Sequence, residues 1–352
     1  MEVIAKRAAI AALVVLGVLA LAVALWKLRL ILALFFLALI VAAAMRPGVE
    51  SLRRRGVPRA AGVALHYVGF GLLVAAFLWV VVPRALDQVD AAVSSLPETR
   101  ASLGEQARAS TGLKHDVLLG MQRRLQDLPT ARDLPAAELT RTVAEVFLGI
   151  FFVLASAAYW IWERDRAQRL LCSLLPRRHA QTARDTWELI DLKLGAYVRG
   201  QALLIVLVGV MLSTAFWAIG LPYWLLVGAF AGIVEIVPVI GPLAAGAVAV
   251  GIGLGESWEV AAAAGAAVLL VRLLEDYVVI PRVLGDAVGL TPLVVLLSVT
   301  ATGVLFGGFA VILAIPLAAV AATLLDVIVR DKDPAQEQVP TVLFPAKDAE
   351  AS

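Results

Sequence analysis

Runs of about twenty apolar residues recur along the whole chain, each long enough to cross a hydrocarbon layer of roughly 30 Å as a helix. No other feature narrows the fold as much, because backbone polar groups in oil must bond within their own segment or within a closed sheet. The period-two alternation of membrane-barrel strands is absent, so the runs read as helices. Of 352 residues, 61% are hydrophobic and 16% charged, and the mean hydropathy of +0.89 lies far from that of a water-soluble globule. The expected fold class is therefore all-α: a polytopic helical membrane protein with about eight transmembrane spans, Gly/Pro-broken helices among them, and a small external helical arm.

The spans are expected at about 8–26, 28–45, 60–82, 143–162, 201–220, 222–254, 258–280 and 292–328. Lys6 and Arg7 precede the first run as in a signal peptide, but that run is about nineteen residues, longer than an h-region, and reads as an uncleaved span. The loop carrying Arg46, Arg53, Arg54, Arg55 and Arg59 against Glu50 is expected to be cytoplasmic. Eight crossings then leave both termini cytoplasmic, with a bacterial inner membrane as the expected location. Trp26, Trp79, Trp160, Trp162, Trp217, Trp224 and Trp258 sit near span ends, where an amphipathic ring prefers the headgroup layer.

The chain divides accordingly into membrane spans (1–82), an external helical arm (83–142), span four (143–162), cytoplasmic amphipathic helices (163–199), a membrane core with broken spans (200–330) and a disordered cytoplasmic tail (331–352). In the arm, Val89, Val93 and Leu96 form one helical stripe and Val117, Leu118, Met121, Leu125 and Leu128 another, with Pro97 and the Pro129–Pro135 stretch expected to separate the pieces. Trp187, Ile190, Leu194 and Tyr197 form a further stripe, suited to the membrane surface or to packing on other cytoplasmic segments. His66, inside span three, is read as a hydrogen-bonded packing residue.

Two segments are too long for one crossing. From Pro222 to Gly255 the apolar run would measure roughly 50 Å as one helix at 1.5 Å per residue. Glu235, Pro238, Gly241 and Pro242 interrupt it, predicting two half-helices whose freed backbone groups must face protein or water. The last segment carries Pro292 at its start, Gly307 and Gly308 at its middle, and Pro316, expected to break its second half. Such paired interruptions point to a transport site. Between the two segments, Arg272, Glu275 and Asp276 share one helical face, and Pro281 is expected to end that helix, with Gly285 permitting the turn beyond. Charges at membrane depth are placed toward a bundle interior or a wet cavity; a structural ion cluster and a transport role both fit this set.

Other chemistries are not indicated. Cys172 is the single cysteine and His66, His115 and His179 lack zinc spacing, so neither a disulfide framework nor a metal site is expected. No phosphate-binding P-loop, HExxH or GxSxG pattern occurs, no cofactor is implied, and no basic patch with interleaved aromatics suggests nucleic acid.

The blocks YVRGQ (Tyr197–Gln201), GIVEIVPVIGP (Gly232–Pro242), LLEDYVVIPRVLGDAVGLTPLVVLL (Leu273–Leu297) and GGFAVILAIPLAAV (Gly307–Val320), in this order and spacing, resemble the autoinducer-2 exporter family of bacterial membrane proteins. The resemblance implies a helical transporter of about eight spans, with family-pattern positions at Gln201, Pro238, Gly241, Pro242, Glu275, Pro281, Gly285, Pro292 and Pro316. It implies export of a small polar molecule such as a furanose-type signal, or sodium/proton antiport in some members, and a homo-oligomer such as a pentamer. Val239 and Thr291 depart from the Tyr and His often found there, which removes hydrogen-bonding groups near the break. Three readings of function follow. They are an exporter acting through Glu235 and Glu275, a sodium/proton antiporter using the same acids, and a scaffold acting through the external arm. The expected partners are the lipid bilayer, a small-molecule or ion substrate and further copies of the chain.

Overall fold

The computed structural model describes residues 2–108, 136–237, 240–283, 289–337 and 339, and the described residues contain helices and turns without a strand. Helix α1 (Glu2–Lys27) is followed by α2 (Arg29–Arg54), α3 (Arg59–Arg108), α4 (Ala136–Ser173) and α5 (Arg177–Ala218). Two shorter helices, α6 (Trp224–Val234) and α7 (Ile240–Glu256), precede α8 (Trp258–Leu274), which runs through a π turn (Glu275–Val279) into α9 (Ile280–Val283). The described chain then holds α10 (Pro292–Phe306), a 3-10 turn (Gly308–Leu313) and α11 (Ala314–Ile328). Among the described residues, five helical stretches are long and apolar enough to cross a membrane, and the shorter apolar helices include α6, α7 and α10. The protein is a polytopic helical membrane protein.

Helix α2 is the hub of the first half. Its small residues Ala38 and Ala42, one turn apart, and Val49 two turns on, pack with Val63 of α3 and Val153, Ala157 and Ile161 of α4. Small side chains let these backbones approach without a hydrophobic driving force from the surrounding lipid. His66 fits this packing: its Nδ1 lies 2.8 Å from the Gly62 carbonyl, and its ring fills the space that a side chain at Gly48 would need. A second core joins α5 to α8 through Leu212, Phe216, Val227, Ala231, Ala249 and Ala264. Helix α1 has few neighbours, and its Leu13, Leu16 and Leu19 are exposed, as lipid-facing side chains are.

Four expectations change. The cytoplasmic stretch up to 199 and the span at 201–220 are not separate, because the Trp187–Tyr197 stripe and that span belong to one continuous helix, α5. Of the two readings of the stripe, packing within the protein holds, with Leu189, Leu194 and Tyr197 buried. Pro97 does not separate two pieces: α3 runs from Arg59 through it to Arg108, about 75 Å at 1.5 Å per residue. A proline removes one backbone donor, which a long helix can absorb as a local bend. The second arm stripe, 117–128, and the Pro129–Pro135 stretch lie outside the described residues. The tail starts docked, for Pro334 is buried and Glu337 accepts a 2.6 Å bond from Lys193 Nζ, which also donates to Thr323 Oγ1 at 3.3 Å.

The fourth concerns the overlong segments. A Cβ at Gly241 would lie 2.1 Å from the carbonyl oxygen of Val234, seven residues earlier, whereas a straight helix would separate those residues by about 10 Å. The chain therefore reverses between Glu235 and Ile240, and α6 and α7 form a helical hairpin rather than one kinked rod. The last segment folds back too: Gly307 holds a positive φ of 91°, and Gly303 lies against Val311. Helix α10 packs on the 3-10 turn and on α11.

Candidate functional site

The hairpin is built by close approach. Tyr223 takes the left-handed conformation (φ 59°) and turns the chain out of α5 into α6. It supplies no side-chain cap, and Gln88 of α3 does so instead, its Oε1 accepting from Leu226 N at 3.2 Å. Down the hairpin, α6 lies against α5 where Gly232 faces the Ile205 carbonyl and the Gly209 backbone. This contact leaves no room for a side chain.

Helix α6 ends at Val234, so Glu235 carries one of the carbonyls that a helix C-terminus leaves without an internal partner. Gln201 of α5 satisfies it, Nε2 donating at 2.9 Å. The Glu235 side chain turns to α8, where Arg272 Nη1 lies 3.3 Å from its Oε1. The same nitrogen is 3.1 Å from Glu275 Oε2, and Nη2 is 3.0 Å from Asp276 Oδ1. Glu235 and Glu275 are buried at 5% and 3% exposure, whereas Asp276 is exposed and marks the open side of the cluster.

Three carboxylates thus face one guanidinium, and with all of them ionised the cluster holds surplus negative charge. Each ion taken out of water costs several kcal/mol unless it is paired. Such a site favours taking up a proton or a small cation.

The π turn follows at once, over Glu275–Val279. Turns of this kind widen the backbone spiral and are frequent at functional sites. This widening corrects the expectation for Pro281: helix continues through it to Val283, because the π turn absorbs the misfit that a proline ring creates with the preceding turn.

Of the residues expected to form the site, the fold unites Gln201, Glu235, Arg272, Glu275 and Asp276, with Gly241 and Pro242 opening α7 beside them. Pro238 and Gly285 lie outside the described residues. Pro292, Gly307, Gly308 and Pro316 belong to the second hairpin, which packs on α2 and α5. Pro292 is the first residue of α10, where its missing N–H costs nothing. Pro316 does not break α11 either; it is the third residue of that helix and equally free of a lost bond. The link from Glu235 to Arg272, and the π turn, had no local sequence signal beyond the charged residues at 272, 275 and 276.

A bundle of apolar helices holding a buried acid–arginine cluster at a reversed, broken segment is a polytopic helical membrane protein with a charged site inside its bundle. The profile of the AI-2E family transporters matches residues 12–330, and the chain belongs to that family. Similar proteins include YrrI of Bacillus subtilis (strain 168), named as a proposed transport protein, 25% identical over 296 residues covering 80% of this chain and 82% of YrrI. YueF of the same organism is named likewise and is 29% identical over 56% of this chain and 53% of its own. PerM of Escherichia coli (strain K12), named as a proposed permease, is 25% identical over 73% of this chain and 74% of its own length.

Proposed function

We propose that the protein is an ion-coupled exporter of a small polar molecule across the bacterial inner membrane, with Glu235 and Glu275 binding the coupling cation. One observation carries this reading: two buried carboxylates share a single guanidinium at the tip of a broken helical hairpin. Protonation or cation binding relieves the surplus charge, and its release restores the grip of Arg272. That alternation gives the hairpin two electrostatic states, which is what alternating access needs.

Within this reading the α6–α7 hairpin is re-entrant from the outer face and the α10–α11 hairpin from the inner face. α1 to α5 and α8 then supply the full crossings, and both termini remain cytoplasmic. The exposed apolar faces of α1 and α3 suit lipid and neighbouring copies in a homo-oligomer. Broken backbone inside a bilayer requires a protein-lined or hydrated passage, which the hairpin tip supplies.

Purified protein in liposomes, loaded with a panel of small polar metabolites under imposed proton or sodium gradients, tests the proposal. Gradient-dependent flux that falls about tenfold or more in Glu235→Gln is the expected result; flux indifferent to both the gradient and the variant overturns it. Sodium/proton antiport is the second reading, favoured by the same surplus of carboxylates. A sodium pulse that moves a pH dye in everted vesicles without added solute would select it over solute export.

A further inference from the structure

A second charged site lies where α2, α3, α4 and α5 meet, separate from the Arg272 cluster. A small pocket there is lined by Arg46, Arg59 and Arg164, by the carboxylates Glu50, Asp165 and Asp191, and by the ring of Trp160. Its level is legible in the sequence. α2 is uncharged from Leu30 to Met45 and charged from Arg46, α4 is uncharged from Val146 to Trp162 and charged from Glu163, and α3 begins at Arg59. All three helices pass from oil-compatible to water-compatible residues around this pocket, which is where headgroups lie.

The hydrogen-bond accounting of the pocket is incomplete. Arg164 is buried at 6% exposure, its Nε donates to Asp191, and its Nη1 lies 3.4 Å from Asp165. Its Nη2 is buried with no partner among the described residues. Trp160 stacks on Trp187, whose Nε1 is also buried and without a partner among the described residues. Both groups are donors, so the missing chemistry is an acceptor. Buried donors of this kind are rarely left bare, because each costs about 1–3 kcal/mol.

The other two arginines are under-used as well. Arg46 reaches Glu188 at 3.5 Å and Asp191 at 3.6 Å, and Arg59 reaches Asp165 at 3.5 Å and Glu50 at 3.7 Å. These are Coulombic contacts beyond good hydrogen-bond length, and both guanidiniums stay about one-third exposed. The three carboxylates would repel an anion were they bare, but each already faces at least one arginine. Arg53, Arg54 and Arg55 at the end of α2 and just beyond add positive charge nearby.

We propose that this pocket binds a phosphate-type anion, with Arg164 Nη2 as the buried donor and Arg46 and Arg59 closing over the other oxygens. Guanidinium forks match phosphate oxygens in geometry and charge, and Trp160 forms a flat apolar wall beside them. The anion comes either from an anionic phospholipid headgroup at the membrane boundary or from a soluble phosphate.

The full-length protein in detergent tests this by thermal unfolding during titration with phosphatidylglycerol, diacylglycerol or inorganic phosphate. A saturable rise in Tm with phosphatidylglycerol but not with diacylglycerol is expected, and Arg46→Gln and Arg59→Gln should each raise the half-saturating concentration about tenfold. A matching response to inorganic phosphate would assign the site to a soluble anion, and its absence to the headgroup. Both variants remove groups about one-third exposed with weak contacts, and Arg59→Lys, which keeps the charge and loses the fork, gives an intermediate effect if Arg59→Gln fails to fold. No shift with either phosphate probe, or equal shifts in wild type and variants, would overturn the proposal and leave water as the partner of Nη2.

Discussion

Two apolar segments of this chain are too long to cross a bilayer once and too short to cross it twice, and both fold back. In 222–254 the chain reverses between Glu235 and Ile240; in 292–328 it reverses around Gly307–Leu313. The first hairpin carries an acid at its tip, bonded through its carbonyl to Gln201 and through its carboxylate to Arg272. The second has no ionisable residue from Pro292 to Leu325, and its tip is Gly307, Gly308 and Phe309. Reversal therefore needs only backbone permissiveness, whereas the chemistry needs a carboxylate and a partner from another helix. A broken membrane helix is a place where function can be put, and the proposed function takes the charge pattern as the mark of which break holds it.

The largest expected effect lies at Arg272. Replacing it with Met leaves Glu235 and Glu275 buried without their cation, a loss of about 3–5 kcal/mol. Thermal unfolding in detergent should show it as a large fall in Tm with transport abolished, and an unchanged Tm would mean that the two hairpins do not differ as described. Gly241→Val is next, at about 3 kcal/mol, because a side chain there meets the Val234 backbone, which cannot swing aside. A fully folded variant would show that α6 and α7 do not lie so close.

On the second hairpin, Gly307→Ala forces a side chain into φ 91°, ψ 170°, with an expected cost of ~1–3 kcal/mol and transport retained in whatever protein stays folded. Glu235→Gln keeps the shape and removes the charge. Its flux should fall about tenfold or more, equivalent to ~1.4 kcal/mol of lost interaction, with Tm unchanged or higher. Loss of flux from Gly307→Ala with none from Glu235→Gln would move the site to the other hairpin. The smallest effect belongs to Gly308→Ala, where nothing lies within 4 Å of the added methyl and φ is ordinary. Stability should change by less than about 0.5 kcal/mol, and flux not at all.

Much of this contrast was readable from residue order. The two overlong runs, the Gly and Pro residues interrupting them and the shared face of Arg272, Glu275 and Asp276 all follow from helical geometry, which is local. Reversal was not readable, because a proline and a glycine release the backbone in the same way whether the chain then kinks or turns around. The prolines at 281 and 316 show the same ambiguity. Each was expected to end or break a helix, yet 316 lies in a first turn and 281 follows a π turn that makes room for it, whereas Pro292 opens its helix, as its place at the start of the segment implied.

By itself the sequence determined the solvent this chain lives in, because runs of apolar residues fix the free energy of transfer whatever the fold. It also determined where helices could not continue unbroken. Only the tertiary structure decided that Glu235 would meet Arg272, 37 residues away. It likewise decided that Gln201 would cap the broken end and that three arginines would gather around one small pocket. Pairing of buried charges depends on which helices share an interior, and that is settled by packing among all the helices rather than by any one of them.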